Sequence, residues 1–456
     1  MSTNCERSTA EPPGSFWPDP TALGAVTDLY ELTMMAGYAA AGIDQARATF
    51  ELFVRRLPHG RAYLVFGGLE QAIGDLLRLS FSSGQVELIR RLPTFAVVDP
   101  AWFDRLADLR FEGDIWAVPE GSVIFAGEPL VRVVAPLAQA QWVETLLIAS
   151  LSYPTLVASK AARIVEAAGG RPCYDFGARR GHGPQAGMLS ARASYLAGFA
   201  GTSLVEAAIR LGIPAVGTMA HSWVQSFADE SQAFEAFASV YPGSTLLVDT
   251  YDSAEGVRHA AAIDPPIGAI RLDSGLLRAE SIQARSILDA AARPDVKIVA
   301  SGDLDEYQIR DLLAVGAPID GFGVGTELVT SRDAPALAMV YKLVELEGVG
   351  RTKLSPGKKS YPFAKQVFRL TDQAGRFACD VVAGADEFAV GEPLLAPVVL
   401  GGRTVGSFPG LSATRERCRS QVAMLPDTLR GPEALATYPV VYSSALEREA
   451  QRLGIR

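Results

Sequence analysis

The chain between positions 212 and 330 carries five short hydrophobic runs, and each run ends in a cluster of small, polar or ionisable residues. Runs of this length without polar alternation are typical of parallel strands that are buried on both faces. The runs are Ile213–Gly217, Thr245–Val248, Ile267–Ile270, Val296–Ala300 and Ile319–Phe322. This pattern predicts the strands of a parallel β-sheet.

The segments between these runs have the length and composition of helices that cross from one strand to the next. They are Trp223–Val240, Ala254–Ala262, Leu277–Ala292 and Leu304–Ala314. Repeated β-then-α units predict a closed barrel or an open parallel sheet, and strand ends near Asp175 and Ser203 bring the count close to that of a barrel. In both folds the carboxyl ends of the strands carry the active site, so we expect an enzyme.

The rest of the chain divides into three regions around this segment. Residues 1–20 are rich in Ser, Thr, Glu and Pro, which predicts a disordered leader. Residues 21–137 combine strand-like alternation with helical segments and predict an N-terminal α+β domain. The barrel domain would span 138–345 and begin with two helices broken near Tyr153-Pro154. Residues 346–456 predict a smaller C-terminal α+β unit.

This C-terminal unit opens with a basic loop, Arg351–Lys359. Such a run is usually a solvated face of the protein. The alternative is a mobile cover over phosphate groups, because the loop is positive where the rest of the chain is negative. The sequence leaves both interpretations open.

The composition of the chain limits the ligands it can bind and the cellular compartment in which we expect it. The net charge of -9 and a pI near 5.2 argue against nucleic acid as the main partner. The four cysteines form no CxxC pair, so we expect no metal cluster, no disulfide framework and a reducing, cytoplasmic location. No signal-peptide-like segment opens the chain, and polar residues and a proline interrupt its longest apolar stretch, Trp142–Ala158. We therefore expect no membrane span.

The predicted strand ends collect side chains that suit a phosphorylated sugar ligand. Glycines and hydroxyls bind phosphates, carboxylates bind Mg²⁺ and sugar hydroxyls, and arginine binds phosphate or carboxylate with a planar fork. The candidates are Arg179, His221, Asp249, Asp252, Arg271, Asp273, Ser274, Asp303, Gly323, Gly325 and Thr326. The sequence has no P-loop and no GxGxxG after a strand, and it lacks the GxSxG and HExxH motifs of common hydrolases.

Three candidates also have an ordinary structural interpretation. Arg179 and Arg180 follow a short strand and a glycine, which fits either an anion-binding loop or a solvated turn. Tyr30, in the first turn of a predicted helix, fits core packing. A lone histidine is more often structural than catalytic, but His221 stands at a predicted strand end beside Thr218, which favours a catalytic role.

Six motifs, taken together and in order, resemble those of the nicotinate phosphoribosyltransferase family. They are Thr27–Met34, Asp175–Arg180, Gly217–Ser222, Arg271–Gly275, Ser301–Asp303 and Gly323–Thr326. The resemblance implies an irregular, TIM-like and funnel-shaped α/β barrel of the type II phosphoribosyltransferase kind. It also implies a homodimer with shared active sites.

The resemblance implies a reaction as well. Nicotinate and 5-phosphoribosyl 1-diphosphate would give nicotinate mononucleotide and diphosphate, with Mg²⁺ as cofactor and ATP hydrolysed as a co-substrate. This reaction belongs to NAD biosynthesis and salvage. His221 would be the histidine that ATP phosphorylates transiently.

The remaining roles carry over by position. Phe176, with Tyr30 of the partner subunit, resembles the pair that sandwiches the pyridine ring. Arg271 would meet the ring carboxylate or a nearby phosphate, and Ser203 would face the ring substituent. Asp249 and Asp273 would be the acidic groups of catalysis, with Asp273 as a Mg²⁺ ligand. Phosphate and ribose would be bound by Arg179, Thr218, Ser274, Gly302, Asp303, Gly323, Gly325 and Thr326.

Three positions bear on how far the resemblance extends. Ser203 stands where we expect an aspartate in nicotinamide-using relatives, which favours the acid as substrate. Leu276 stands where the family usually has an acidic residue, and Tyr361–Lys365 departs from the expected Pro-Gly pattern after the basic loop. The alternatives are an enzyme for nicotinamide or another pyridine acid, or a catalytically dead ligand sensor on the same fold.

Overall fold

The structure is a computed structural model, and it describes residues 18–353, 360–433 and 436–454. The predicted leader therefore lies almost entirely outside the described residues, as do positions 354–359 of the basic loop. None of the described helices is both long and apolar enough to cross a membrane.

The strands of the described residues are β1 (Arg47–Val54), β2 (Leu64–Val65), β3 (Asp114–Ala117), β4 (Val123–Ile124), β5 (Pro129–Pro136), β6 (Cys173–Asp175), β7 (Gly201–Thr202), β8 (Thr245–Leu247), β9 (Ala269–Leu272), β10 (Lys297–Ala300), β11 (Gly321–Val324), β12 (Met339–Leu346), β13 (Val349–Gly350), β14 (Lys365–Thr371), β15 (Phe377–Gly384), β16 (Glu392–Pro393), β17 (Ala396–Leu400), β18 (Arg403–Thr404) and β19 (Val440–Tyr442).

The α-helices are α1 (Leu29–Ala40), α2 (Leu69–Leu76), α3 (Ser83–Arg90), α4 (Pro100–Asp108), α5 (Leu137–Trp142), α6 (Glu144–Ala167), α7 (Pro184–Leu196), α8 (Val205–Leu211), α9 (His221–Gln225), α10 (Glu230–Val240), α11 (Ser253–Ala262), α12 (Leu277–Ala290), α13 (Glu306–Ala314), α14 (Thr326–Val329), α15 (Leu411–Met424), α16 (Asp427–Arg430) and α17 (Ser444–Arg452). Short 3-10 turns lie at Leu23–Ala25, Pro93–Phe95 and Ala178–Arg180.

Six parallel strands form a half-barrel in the order β7-β6-β11-β10-β9-β8. The pairing is in direct register at its centre, where Ile298 of β10 lies opposite Ile270 of β9. Helices α11, α12 and α13 cross between consecutive strands, as the hydrophobic pattern predicts. The mixed α/β fold class is confirmed, with the parallel sheet in the form of a half-barrel rather than a closed ring.

The predicted strand at Ile213–Gly217 is wrong. In the structure this segment makes a single isolated bridge, between Ala215 and Thr202 of β7. Pro214 explains the difference, because proline has no N–H to donate to a strand ladder. The segment instead follows β7 through two backbone hydrogen bonds, from Thr202 N–H to the Pro214 carbonyl and from Val216 N–H to the Thr202 carbonyl.

A second, seven-stranded sheet has the order β13-β12-β1-β5-β3-β17-β18. Its central strand β1 pairs antiparallel with β5 on one side and with β12 on the other. Strands β12, β17 and β18 lie more than 280 residues after β1 in sequence. The sheet therefore contains strands from all three predicted domains, 21–137, 138–345 and 346–456. The division into contiguous domains stays a prediction. A four-stranded sheet, β16-β14-β15-β19, and the pair β2-β4 complete the strands of the described residues.

The predicted helix break at Tyr153-Pro154 is also wrong. The chain breaks at Val143, between α5 and α6, and α6 continues through Pro154. Proline removes the hydrogen bond that the Ser150 carbonyl would accept. That carbonyl packs against Gly68, where a Cβ would lie 2.5 Å from the oxygen. Because α6 is buried along most of this stretch, tertiary packing keeps it helical through the proline.

Helix α6 also carries a buried network of charges. The Lys160 ammonium lies 2.6 Å from Glu306 and 3.0 Å from Asp333, and Arg61 and Arg163 complete the network at 3.0 Å from Asp333 and Glu306. Lys160 and Glu306 are at most 1% exposed. The network joins α6 to α13 and to the segment that follows α14.

We predict that Lys160→Met destabilises the protein by about 3–5 kcal/mol, because it removes one of the cations of the buried network and leaves the Glu306 carboxylate without its shortest ion pair. Chemical denaturation of the variant and the wild-type protein measures this difference in unfolding free energy. The matched control is Lys297→Met, whose exposed ion pair with Asp320 spans 3.5 Å, and it should change stability by at most about 0.5 kcal/mol. Equal effects of the two substitutions would contradict the prediction.

Candidate active site

A cavity of about 320 Å³ opens at the carboxyl ends of the half-barrel strands. It contains seven of the residues predicted for the site. The lining residues are Phe176, Arg179, Ser203, Gly217, Thr218, Met219, Ala220, His221, Leu247, Arg271 and Asp273. The site predicted at the carboxyl ends of the strands therefore coincides with this cavity.

Arg271, at the end of β9, joins several parts of the cavity wall. Its Nε donates to Ser301 Oγ at 2.8 Å, one terminal nitrogen donates to Thr218 Oγ1 at 3.2 Å and the other to Asp273 Oδ1 at 2.6 Å. Its guanidinium carbon lies 5.2 Å from the centre of the Phe176 ring, within cation–π distance. The guanidinium plane is thereby fixed, and its remaining N–H groups are available to an anionic ligand.

Phe176 presents a flat aromatic face because a glycine lies behind it. A Cβ at position 323 would lie 2.5 Å from two carbons of the Phe176 ring. The Phe176 N–H also donates to the Val324 carbonyl at 2.9 Å, and Tyr174 stacks on the ring with 6.3 Å between centroids. Gly323 is needed here for ring packing, while its predicted role in phosphate binding stays a prediction.

Asp175 joins the ends of β6 and β7, and sequence reasoning assigned it no role. Its carboxylate accepts from the Gly177 N–H at 2.9 Å and from Thr202 Oγ1 at 3.1 Å, and its carbonyl accepts from the Ser203 N–H at 2.9 Å. Burial raises the pKa of this carboxyl to about 6. Asp175 therefore sets the positions of two cavity residues, Phe176 and Ser203, without lining the cavity.

The acidic side of the site comes from the loops after β8 and β9. Asp249 Oδ2 accepts from the Asp273 N–H at 2.9 Å and from Ser274 Oγ at 2.6 Å. Asp249 Oδ1 is buried and has no hydrogen-bond partner among the described residues. A free carboxylate oxygen beside a second carboxylate suits a hard cation such as Mg²⁺, which takes one or two carboxylates and completes its shell with substrate oxygens.

Ser301 is a further residue that sequence reasoning left without a role. Its hydroxyl accepts from Arg271 and also donates to Asp273 Oδ1 at 2.6 Å, so it holds the guanidinium and the carboxylate together. Its sequence signals were its position directly after β10 and its place at the start of the motif Ser301–Asp303. Within the described ranges, no group of three or more His, Cys, Asp or Glu side chains is arranged as a metal site.

His221 is the first residue of α9 and lines the cavity. Its Nδ1 lies 3.1 Å from Thr250 Oγ1, in the loop after β8. With Nδ1–H donating to that hydroxyl, Nε2 carries a lone pair and has no protein partner in the described part of the chain. This tautomer leaves a nucleophilic nitrogen at the cavity, which favours the catalytic interpretation over the structural one.

The predicted phosphate residues that follow β10 and β11 lie at the neighbouring strand ends, outside the lining of the cavity. Thr326 Oγ1 donates to Asp303 Oδ1 at 3.4 Å, which brings the two loops together. Gly302 has a φ of 98°, and a Cβ there would overlap the Asp273 carbonyl, so only glycine fits. Gly325 precedes the short helix α14.

Tyr30 is the one predicted residue that lies apart from these strand ends. It lies in the first turn of α1 with 45% of its surface exposed, so it is not the core residue that its sequence context allows. Partial burial and the nearby Glu144 carboxylate raise the pKa of its phenol. Within one chain, it does not line the cavity.

Comparisons with known proteins agree with this geometry. The sequence model of the nicotinate phosphoribosyltransferase N-terminal domain matches residues 26–152, and that of the nicotinate phosphoribosyltransferase family matches residues 172–264. Nicotinate phosphoribosyltransferase pncB2 of Mycobacterium tuberculosis is 47% identical over 94% of this chain and 93% of its own length. The Bacillus subtilis nicotinate phosphoribosyltransferase is 40% identical over 80% of this chain and 77% of its own.

Solved structures show the same relationship. The crystal structure of human nicotinic acid phosphoribosyltransferase superimposes with a TM-score of 0.84 and 29% identity, covering 94% of this chain and 99% of the human one. A nicotinate-nucleotide pyrophosphorylase structure from Pyrococcus furiosus gives a TM-score of 0.74 at 26% identity, covering 90% and 98% of the two chains.

A parallel half-barrel that carries an arginine, paired carboxylates and glycine-rich loops at its strand ends, beside one cavity, defines the protein as a phosphoribosyltransferase-type α/β enzyme. Within that class, the similarity over nearly the whole chain is decisive. The chain belongs to the nicotinate phosphoribosyltransferase family.

We predict that Asp175→Asn makes the protein's stability less dependent on pH. A carboxyl with a raised folded-state pKa contributes stability that is complete below its ordinary value of 3.8 and is lost as pH rises through about 6. Between about pH 4 and pH 6, the unfolding free energy of the wild-type protein should therefore fall relative to that of the variant. Urea denaturation across this range measures the two slopes, and parallel slopes would refute the assignment.

Proposed function

We propose that the protein transfers the phosphoribosyl group of 5-phosphoribosyl 1-diphosphate to nicotinate and couples this reaction to ATP hydrolysis through His221. The products are nicotinate mononucleotide and diphosphate, a step of NAD biosynthesis or salvage. The observation that carries the proposal is the fixed guanidinium of Arg271 above the Phe176 ring, at the cavity of a chain with this family membership.

This pair of side chains suits a flat aromatic acid. The Phe176 face stacks against the pyridine ring, while the N–H groups of Arg271 that make no protein bond meet the ring carboxylate. Ser203 lines the same cavity, and its side chain is uncharged. A serine does not repel a carboxylate, as an aspartate would, so Ser203 favours nicotinate over nicotinamide.

The sugar phosphate fits the neighbouring strand ends. Arg179 and the loops of Gly302, Asp303, Gly325 and Thr326 offer a guanidinium, hydroxyls and backbone N–H groups for the phosphate and ribose. As the bond from C1 to diphosphate breaks and the pyridine nitrogen bonds to C1, the sugar acquires oxocarbenium character. The carboxylates of Asp249 and Asp273 stabilise that positive charge.

If Mg²⁺ binds at this acidic side, it would supply positive charge for the leaving diphosphate. Asp249 Oδ1, which has no protein partner in the described chain, and the Asp273 carboxylate are the groups that would hold it. Arg271 keeps Asp273 in place during the reaction through its 2.6 Å ion pair.

In this proposal His221 is the residue that accepts the terminal phosphoryl group of ATP. Its Nε2 lone pair attacks the terminal phosphorus, the bond to the bridging oxygen breaks, and ADP leaves. Thr250 Oγ1 accepts from Nδ1–H and stabilises the positive charge that develops on the ring. The phosphohistidine adds negative charge and acceptor oxygens beside the site, and water later hydrolyses the N–P bond.

We predict that His221→Ala abolishes nicotinate-dependent ATP hydrolysis and leaves a slow, ATP-independent synthesis of the mononucleotide. The transfer chemistry uses other side chains, whereas phosphoryl transfer needs the imidazole nitrogen. Parallel assays of ADP and mononucleotide measure both activities. Thr250→Val, which keeps Nε2 but removes the hydroxyl, is the matched control and should lower ATP hydrolysis without abolishing it. ATP hydrolysis that survives in His221→Ala would exclude this mechanism.

The second face of the pyridine site comes from a second copy of the chain in this proposal. Phe176 covers one face of the ring, and no second aromatic side chain lines the cavity among the described residues. Tyr30 is exposed on α1 beside Leu29 and Met34, which are 51% and 36% exposed. An exposed apolar patch of this kind fits an interface with another copy. We therefore propose a homodimer with shared sites.

We predict that Tyr30→Ala and Phe176→Ala are each nearly inactive and that the two variants recover activity when they are co-expressed. In a statistical mixture half of the dimers are mixed, and each mixed dimer has one intact site, so about a quarter of wild-type activity should return. The rate of mononucleotide formation measures this recovery. No recovery, at normal folding of both variants, would contradict shared sites.

Two co-expression controls separate shared from unshared sites. Phe176→Ala with Arg271→Ala should not recover activity, because both residues belong to the same chain's cavity and each site of a mixed dimer lacks one of them. The double variant Tyr30→Ala/Phe176→Ala with the wild-type chain leaves no intact site in a mixed dimer when sites are shared. That mixture should therefore retain about a quarter of wild-type activity, against about half when sites are unshared.

A second candidate function is a ligand sensor without catalysis, which Leu276 favours because it is 78% exposed where the family resemblance led us to expect an acid. Ligand-induced stabilisation without turnover would identify that case. A cytoplasmic location remains part of our proposal and follows from the substrates of the reaction.

A further inference from the structure

Glu280 lies in the first turn of α12, and its carboxylate reaches back to the loop after β9. Its Oε1 lies against Gly275, where the Cβ of any other residue would overlap it. Its Oε2 accepts from Ser253 Oγ at 3.3 Å, at the start of α11. The Glu280 carboxylate thus contacts both the segment after β8 and the loop after β9.

These are the same two connections that Asp249 joins from the cavity side. Asp249 accepts from Asp273, which lines the cavity, and from Ser274, whereas Glu280 contacts the same two connections from the side of α12. The distance between Asp249 and Asp273 depends on both bridges. Gly275 lies between them with a φ of 79°, a conformation that only glycine adopts without strain.

Helix α12 also begins without a side-chain cap. Its N-cap residue, Leu276, has no oxygen to accept from the first N–H groups of the helix. A carboxylate in the first turn offsets part of this loss through the helix dipole, and Glu280 is the acidic residue of that turn. The position of the loop before α12 therefore depends on Glu280.

We propose that Glu280 is a positioning residue for the Asp249–Asp273 pair and offsets the side-chain cap that α12 lacks at Leu276. It acts through Gly275 and Ser253 and does not touch the substrate. The inference rests on the proposed function in one respect, since it takes the phosphoribosyl diphosphate and Mg²⁺ to bind at Asp249 and Asp273.

The test compares Glu280→Ala and Glu280→Gln with the wild-type protein, alone and combined with Leu276→Asp. Glu255→Ala on α11 is the matched control, because its carboxylate pairs with the exposed Arg258 on the same helix. Calorimetry measures the affinity for phosphoribosyl diphosphate with Mg²⁺ and without nicotinate or ATP. Steady-state kinetics give kcat and a KM value for each substrate, and thermal unfolding gives the Tm.

We expect Glu280→Ala to weaken the affinity for phosphoribosyl diphosphate about tenfold and to raise that substrate's KM to the same extent, the effect of losing roughly one cap or charged contact. The apparent Mg²⁺ requirement should rise with it, while kcat and the KM for nicotinate stay within about twofold. The affinity of Glu280→Gln for phosphoribosyl diphosphate should lie between those of the wild-type protein and Glu280→Ala, because glutamine keeps the shape of the side chain but loses its charge. Adding Leu276→Asp to either variant should restore most of the affinity, whereas Glu255→Ala should change nothing.

The inference is overturned if Glu280→Ala binds phosphoribosyl diphosphate as the wild-type protein does, or if Leu276→Asp fails to restore either variant. If Glu280→Ala does not fold, the Gln variant with and without Leu276→Asp decides by the same criteria. Failure of the proposed function gives a different result, in which the wild-type protein binds phosphoribosyl diphosphate but forms no mononucleotide. A wild-type protein that does not bind it would overturn both.

Discussion

The cavity depends on one largely buried cation, the guanidinium of Arg271. Its three hydrogen bonds reach Thr218, Asp273 and Ser301, which lie in three different loops, and its face lies on the Phe176 ring of a fourth. A guanidinium that is 12% exposed is costly unless its donors are satisfied, so these partners fix it in one orientation. The aromatic platform and the acidic side of the site are thereby placed relative to the same side chain.

Several carboxylates connect neighbouring strand ends to one another. Asp175 joins β6 to β7, and Asp249 and Glu280 join the connections after β8 and β9 from opposite sides. Parallel strands end with backbone N–H groups that the sheet no longer satisfies, and Asp175 and Asp249 accept from such groups. The same residue type therefore builds the scaffold and supplies the chemistry, and only the position relative to the cavity separates the two uses.

Local patterns in the sequence predicted most strands and helices of the half-barrel, because buried runs and crossover segments are encoded locally, although the segment Trp223–Val240 is divided between α9 and α10. These patterns gave wrong predictions at two prolines. Pro214 has no N–H for strand pairing, so its segment does not form the predicted strand. Pro154 lies inside α6, where tertiary packing keeps the chain helical. The membership of β12 and β17 in the seven-stranded sheet was not predictable, since pairs such as Ala48 with Leu346 join distant positions. Asp175 and Ser301 each open one of the six motifs, but they received no role because their function is to hold other side chains in place, which depends on contacts between different strand ends.

The most direct test of the account is to incubate the protein with nicotinate, 5-phosphoribosyl 1-diphosphate and Mg²⁺, with and without ATP, and to follow mononucleotide and ADP. We predict mononucleotide in both conditions, a rise in its yield with ATP and release of ADP alongside it, and little product when nicotinamide replaces nicotinate. Product without any effect of ATP would contradict the coupling through His221. The absence of product in every condition would contradict the assigned reaction itself.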